Sequence, residues 1–241
     1  MSKEILISIC AREGSKGIPK KNMKELNGKP LIWYTLEIAK KINSIIPSKI
    51  ALSTDSSDII DYCFSQGIET DYKRPKELAL DNSGKIDTIF DLINYQENIL
   101  NRKFEIILDL DVSSPLRTWN DILDSYKKFL KNRDMLTMVS VNEANRNPYF
   151  NMVEKENDTG FCRLVKTPDK LFLSRQEAPK VYELNASFYW YRRIFFNSKN
   201  KTPITEKTGI YKMNHICFDL DHPIDFKIMD YLVSNNEFKF F

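Results

Sequence analysis

Four short strand-like runs, at residues 5–10, 50–53, 68–72 and 104–111, constrain this chain more than any other feature. The first reads ILISIC and the last FEIILDLD. A run as poor in polar residues as the first suits a strand buried on both faces, since a face open to water would impose polar alternation. Between them lie segments with apolar residues at helical spacing: 30–41, 58–66 (stopped by Gly67) and 86–98. Residues 120–132 repeat the helical pattern, and 135–141 are strand-like again. Strands alternating with helices predict βαβ units and a mainly parallel sheet, an α/β fold. Such sheets bind ligands beyond the carboxyl ends of their strands. Polar clusters stand at three such ends: 12–22, 53–55 and 111–117.

The alternation stops between about residues 145 and 182, where short strands and long loops take over. We read 145–182 as an insertion protruding from a core built by 1–144 and 183–241. Strand character returns at 181–191 and at 216–220.

Composition excludes several classes of function. The chain has 36 basic and 33 acidic residues, and a net charge of +3 is too weak to argue for nucleic acid. Its basic residues are not interleaved with aromatic stacking platforms either. Cys10, Cys63, Cys162 and Cys217 are scattered, and only His215 and His222 could join them, which leaves little material for zinc. No apolar run approaches the ~18 residues of a membrane span. Met1-Ser2-Lys3-Glu4 leads directly into an apolar run without a secretory leader, so a cytoplasmic location and no membrane partner are expected.

The loop Ala11, Arg12, Glu13, Gly14, Ser15, Lys16, Gly17, Ile18, Pro19, Lys20, Lys21, Asn22 places four cations, two glycines and a serine directly after the first strand. Glycines let backbone N–H groups approach an anion, and lysine and arginine neutralise phosphate charge. It is not a Walker loop, because Pro19 stands five residues after Gly14 where glycine is required. The dinucleotide fingerprint Gly-x-Gly-x-x-Gly is absent too, which argues against a nicotinamide or flavin enzyme. Downstream, Asp219 and Asp221 flank Leu220, and in a strand alternation would turn both carboxylates to one face, able to share a divalent cation. Arg175 and Gln176, with Asn185, Ser187 and Tyr189, offer a guanidinium for a carboxylate and amides and hydroxyls for sugar hydroxyls. Ser53-Thr54-Asp55 fits a helix cap equally well, and Arg74-Pro75 a turn. Trp33, Trp119 and Trp190 read as core or interface residues.

Residues 11–22 resemble the Ala-Arg-x-x-Ser-Lys-Gly-x-Pro-x-Lys-Asn opening of the acylneuraminate (CMP-sialic acid) cytidylyltransferase family. The likeness continues through Asn27-Gly28-Lys29-Pro30-Leu31, Ser53-Thr54-Asp55, Arg74-Pro75, Ser114-Pro115-Leu116-Arg117, Arg175-Gln176, 185–189 and Asp219-Leu220-Asp221. It implies a Rossmann-like three-layer sandwich whose insertion serves dimerisation and covers the partner's active site. The implied reaction is transfer of CMP from CTP to a sialic-acid-like nine-carbon sugar acid, by a Mg²⁺-dependent homodimer releasing pyrophosphate. Arg12, Lys16 and Lys21 would hold phosphates, with Ala11, Gly14, Ser15 and Asn22 completing the nucleotide loop and Arg74 near the cytidine. Asp219 and Asp221 would carry Mg²⁺, while Arg175 and Asn185 would face the sugar acid.

The departures lie on the sugar side. The customary glutamine is Asp111, and the usual Asn-Gly-Ala is Asn185-Ala186-Ser187. An ionised aspartate facing the sugar accepts hydrogen bonds only, favouring donor-bearing substrates; alternatively Asp111 supports the metal side. The pattern looks like the bacterial subgroup that activates legionaminic acid. Two other readings stay open: transfer to an eight-carbon ketodeoxy acid, or a non-catalytic nucleotide-binding module.

Overall fold

The computed structural model describes residues 4–15, 17–157, 159–168, 170, 172–198 and 200–240. Its strands are β1 (Ile5–Cys10), β2 (Glu25–Leu26), β3 (Lys29–Pro30), β4 (Ser48–Ser53), β5 (Ile106–Leu110), β6 (Thr137–Glu143), β7 (Val153–Lys155), β8 (Cys162–Leu164), β9 (Tyr182–Arg192) and β10 (Thr208–Lys212). Its α-helices are α1 (Leu31–Ile45), α2 (Ser57–Ser65), α3 (Lys85–Leu100), α4 (Trp119–Lys131) and α5 (Pro223–Ser234).

Six strands form the central sheet in the order β10-β6-β9-β5-β1-β4. β1 pairs in parallel with β4 and β5, and β10 with β6, while β9 runs antiparallel between β5 and β6. Side-chain alternation divides the core in two. Ile5, Ile7 and Ile9 of β1 face the helices α1, α2, α4 and α5, and Leu6 faces α3. Both faces are therefore dry, and the near-continuous apolar runs follow from that. The result is a Rossmann-like sandwich of three layers.

Local chemistry sets the helix ends. Thr118 caps α4 by accepting from Asp121 N at 3.2 Å, while Asp121 Oδ2 accepts from Thr118 N at 2.7 Å. Pro223 occupies the first turn of α5, where its missing N–H costs nothing. Gly67, at φ +78°, ends the α2 region as its sequence suggests.

Two sequence expectations are corrected, and one strand is added to them. Residues 68–72 form no strand: Thr70 Oγ1 takes the carbonyl of Leu52 at 3.2 Å in place of a backbone ladder. Residues 216–220 form none either. Their backbone is met by the loop after β5 instead, where Ser113 O accepts from Leu220 N at 2.9 Å and Ser114 Oγ donates to Phe218 O at 3.1 Å. The sixth sheet strand is instead β10, whose Gly209 masks its strand character.

β6 and β9 pair antiparallel, so the segment joining them leaves and re-enters at one end of the sheet, where Ala144 N donates to Val181 O at 3.1 Å. It carries the hairpin β7–β8, whose side chains are mostly exposed. The β6–β9 register breaks between Val139 and Val141, opposite residues 185–188. At this break Ala186 adopts φ +58°, a left-handed conformation that suits the glycine usual there. Ala186→Gly should therefore stabilise the fold by about 0.5–1 kcal/mol, the relieved backbone strain exceeding glycine's added unfolded-state entropy. Thermal unfolding checks this, and a lowered Tm would contradict the left-handed assignment.

Candidate active site

The carboxyl ends of β1, β4 and β5 open onto a cleft of about 280 Å³. Ala11, just beyond β1, is buried and its N–H donates to Ser53 O at 2.9 Å, so the basic loop starts from the sheet itself. Asp55 does not cap α2. Its Oδ1 accepts from Glu13 N at 2.8 Å and ties the loop to the end of β4. Asn22 closes the loop from the other side, its Nδ2 donating to Arg12 O at 2.8 Å. Gly14, Ser15, Lys21 and Asn22 line the cleft with Arg12 and Arg74. Lys16 lies outside the described residues.

Each cation is held in a defined way. Arg12 ion-pairs with Asp81 at 2.7 Å across the cleft. Arg74 is buried and donates to Ser53 Oγ at 2.9 Å and Ser53 O at 2.8 Å, which fixes its guanidinium at the cleft wall. Lys21 donates to Leu220 O at 2.7 Å, and its Nζ stands 4.0 Å from Asp221 Oδ1. The nucleotide-type loop and the Asp219–Asp221 segment, about 200 residues apart in the chain, thus share one wall. Gly17 makes the same contact: a Cβ there would lie 1.9 Å from the carbonyl oxygen of Asp221.

Asp219 is half-buried, and its Oδ1 is buried without a hydrogen-bond partner among the described residues. Burial, and then the negative charge of Asp111, push its carboxyl above the usual range. Asp221 is exposed. Among the described residues no group of three metal-binding side chains is assembled. The orphaned oxygen nonetheless marks a place where a cation would be welcome.

Asp111 is committed on both oxygens. Oδ1 accepts from Ser113 N at 2.9 Å and Ser113 Oγ at 2.8 Å, and Oδ2 meets Lys85 Nζ at 2.5 Å. Burial opposes its charge, but Lys85 prevails and holds it down at about 2. Lys85 also pairs with the wholly buried Asp109 at 2.7 Å and lies 5.0 Å from the Tyr189 ring centroid. Burial and Asp109 push the Cys10 thiol, also on the cleft, up to about 12, so it stays a protonated, inert lining group. Sequence reasoning missed Lys85. The available signal was its place as the first residue of α3, where a cation opposes the helix dipole and calls for nearby carboxylates.

The residues expected on the sugar side are not gathered in one place. Arg175 and Gln176 line a separate cleft at the base of the insertion, where Arg175 donates to Ala144 O. Asn185 is buried and saturated. Its Nδ2 donates to Asn142 Oδ1 at 2.7 Å and Met213 Sδ at 3.0 Å, and its Oδ1 accepts from Ser140 Oγ at 2.6 Å and Ser187 N at 3.2 Å. Ser187, wholly buried, donates to Ser114 O at 2.9 Å. Of this group only Tyr189 touches a residue of the cleft, its buried ring lying under Lys85. Arg117, completely buried, clamps the same region: it donates to Thr35 Oγ1 and Asp111 O, both at 2.6 Å, and to Ser187 O. Burial alone pushes it down to about 10.

A strap from Met213 to Asp221 carries the two aspartates. His215 anchors it, its Nε2 2.8 Å from Asp121 Oδ2 and its Nδ1 3.0 Å from Ile216 O. Both ring nitrogens face acceptors, which suits the imidazolium. Burial lowers its pKa, but the hydrogen bond to Asp121 outweighs that and raises it overall. A raised histidine pKa contributes stability below its unfolded value of about 6.5 and loses it as pH climbs through the folded value. His215→Gln should therefore flatten the fall of Tm between about pH 6 and 8. An unchanged Tm–pH profile would show that the anchor is not charged.

Residues 6–236 match the family described as Cytidylyltransferase. The chain belongs to the cytidylyltransferase family. It is 38% identical over 232 residues to a CMP-N,N'-diacetyllegionaminic acid synthase of Campylobacter jejuni subsp. jejuni, covering 96% of this chain and 95% of that one. It is 36% identical over 232 residues, with the same coverage, to post-translational flagellin modification protein B of Campylobacter coli. Among solved structures, a CMP:2-keto-3-deoxy-manno-octonic acid synthetase complexed with CTP shares the fold, with TM-score 0.71 at 14% identity over 97% of this chain and 99% of that one. The basic loop and the Asp219–Asp221 segment lie together beyond the carboxyl end of β1, in a fold shared with that synthetase. No helix of the described residues is long and apolar enough to cross a membrane.

Proposed function

We propose that this cytidylyltransferase transfers CMP from CTP to a sialic-acid-like nonulosonate, of the legionaminic or N-acetylneuraminic type, and releases pyrophosphate. The observation that carries the reading is the shared wall: Lys21 and Gly17 of the basic loop seated directly on Leu220 and Asp221. That contact joins a cationic loop suited to phosphates to a carboxylate pair suited to their counter-ion. The 38% identity to a legionaminic acid synthase favours a nine-carbon acid over the eight-carbon alternative, whose structural likeness at 14% identity speaks for fold alone.

In this reading Arg12, Lys16 and Lys21 neutralise the phosphates and the Ser15 hydroxyl donates to them, while Ala11, Glu13 and Asn22 hold the loop in shape through Ser53, Asp55 and Arg12. Asp219 and Asp221 fit Mg²⁺, a hard cation that takes carboxylates together with substrate phosphates, and the unpartnered Asp219 Oδ1 supports the placement. When bound, Mg²⁺ supplies charge neutralisation on the reacting phosphate. The chain's own residues align CTP and hold its leaving phosphates, with little covalent chemistry asked of them. Residues 145–182 serve as the dimerisation insertion of a cytoplasmic homodimer. The exposed apolar side chains Val153, Phe161 and Leu173, at 60%, 75% and 80%, support an interface there. Arg175 and Gln176 would then serve a sugar site completed by the partner, while Asn185 and Ser187 set its backbone without touching the acid.

Arg12→Ala and Lys21→Ala should each weaken CTP binding about 10- to 100-fold, the loss of one charge-assisted phosphate contact. Arg175→Ala should raise the Michaelis constant of the sugar acid instead, leaving CTP affinity within about twofold. Calorimetry with CTP separates the two classes. Unchanged CTP affinity in both loop variants would defeat the phosphate reading.

A further inference from the structure

We propose that Lys85 is the specificity-determining donor of the cleft, presenting an N–H to a neutral acceptor on the sugar acid, an N-acyl carbonyl or a hydroxyl. The inference rests on the proposed cytidylyltransferase reading and assigns a role to a residue outside it. An ammonium has three donors in fixed tetrahedral array. One of Lys85's is donated to Asp111 Oδ2 at 2.5 Å, Asp109 Oδ2 lies 2.7 Å away as an ion-pair partner, and the side chain keeps 36% exposure in the lining of the cleft. A donor is left over for a ligand.

Charge decides what that ligand group is. Lys85, Asp109 and Asp111 together present a net negative charge to the cleft, while Arg117 behind them is completely buried and directs its terminal nitrogens at Thr35 Oγ1, Asp111 O and Ser187 O. Neither a phosphate nor the sugar's own carboxylate is drawn to such a place. A neutral carbonyl or hydroxyl oxygen accepts from Lys85 without that repulsion. Position points to the sugar over the cytosine. Ser113, whose Oγ donates to Asp111 Oδ1 at 2.8 Å, also accepts from Leu220 N through its carbonyl at 2.9 Å, so the cluster borders the carboxylates assigned to the transfer point. The two aspartates also hold Lys85 rigidly. Asp109 is itself fixed by Ser8 Oγ at 2.8 Å, and Asp111 by Ser113. A donor so fixed discriminates, because a substrate lacking the acceptor leaves it unpaired. Asp111, with Oδ1 spent on Ser113 and Oδ2 on Lys85, acts as the positioning residue.

The test uses the purified full chain and a panel of nonulosonates from which each N-acyl group or hydroxyl is removed singly. One analogue should lose about 10- to 100-fold in kcat/KM with the wild-type enzyme, mainly through the sugar's KM. Lys85→Met should turn over the parent acid with that same loss and show no further discrimination against the analogue, while KM for CTP stays within about twofold. Lys85→Met also strands the buried Asp109, so Lys85→Arg, which keeps the charge and moves the donors, is measured beside it. If only the arginine variant folds, it should still change the ranking of the panel. Equal discrimination in wild type and in the folded variant, no discriminated analogue at all, or a change confined to KM for CTP would overturn the proposal. Turnover of no nonulosonate by the wild-type enzyme would instead sink the underlying functional reading.

Discussion

Asp219→Asn is expected to lower kcat by about 10²-fold or more while leaving the fold as stable as before, or more so. The two halves of that expectation have one cause. Asp219 is half-buried, near the negative charge of Asp111, and its carboxyl is raised above the usual range. A folded state that holds this proton more tightly than the unfolded chain loses stability as pH rises through the raised value. At neutral pH the ionised group therefore opposes folding, and asparagine removes that opposition. The same charge is what suits the site to a cation, so function and stability pull apart here. Turnover measured across a Mg²⁺ titration, with Tm alongside, checks both. Near-normal turnover at limiting Mg²⁺, or a marked drop in Tm, would show that Asp219 is an ordinary structural carboxylate.

Gly17→Ala is expected to reduce turnover on the order of 10²-fold with little change in Tm. The added Cβ would lie 1.9 Å from Asp221 O, and that oxygen belongs to backbone, which cannot swing aside like a side-chain tip. The loop and the aspartate segment must then separate by roughly 1.5 Å to reach ordinary contact, a displacement large enough to misalign reacting groups. Because Gly17 is exposed, the core is not disturbed. Kinetics and thermal unfolding of the purified variant decide the matter, and full activity would mean that the loop–Asp221 contact is irrelevant to catalysis.

The strands nearest the site were legible because burial on both faces leaves a simple mark. β1 reads as a strand from ILISIC alone, and the loop after it gains meaning from that position. Apolar character misled at 216–220, since Cys217 and Leu220 are buried in the core without any ladder. The chain's last helix, α5, shows apolar residues all round, with Ile224, Ile228 and Tyr231 exposed, so no clear stripe announced it. In the site, the phosphate-type loop could be read from composition and place. The sugar-side residues could not, because amides and hydroxyls that suit a sugar suit an irregular strand equally well. Asn185 and Ser187 are used in that second way, stitching β9 to β6 and to the loop at Ser114. Lys85 needed the opposite information: its partners Asp109 and Asp111 lie on another element, and only the fold brings the three together.

The central claim is tested most directly by pyrophosphate release from CTP by the purified protein, with Mg²⁺ and a legionaminic-type or N-acetylneuraminic acid as acceptor. Release that requires both the nine-carbon acid and CTP, with formation of the CMP-sugar, is the predicted result; no release with any nonulosonate, or release with the eight-carbon ketodeoxy acid alone, would contradict it.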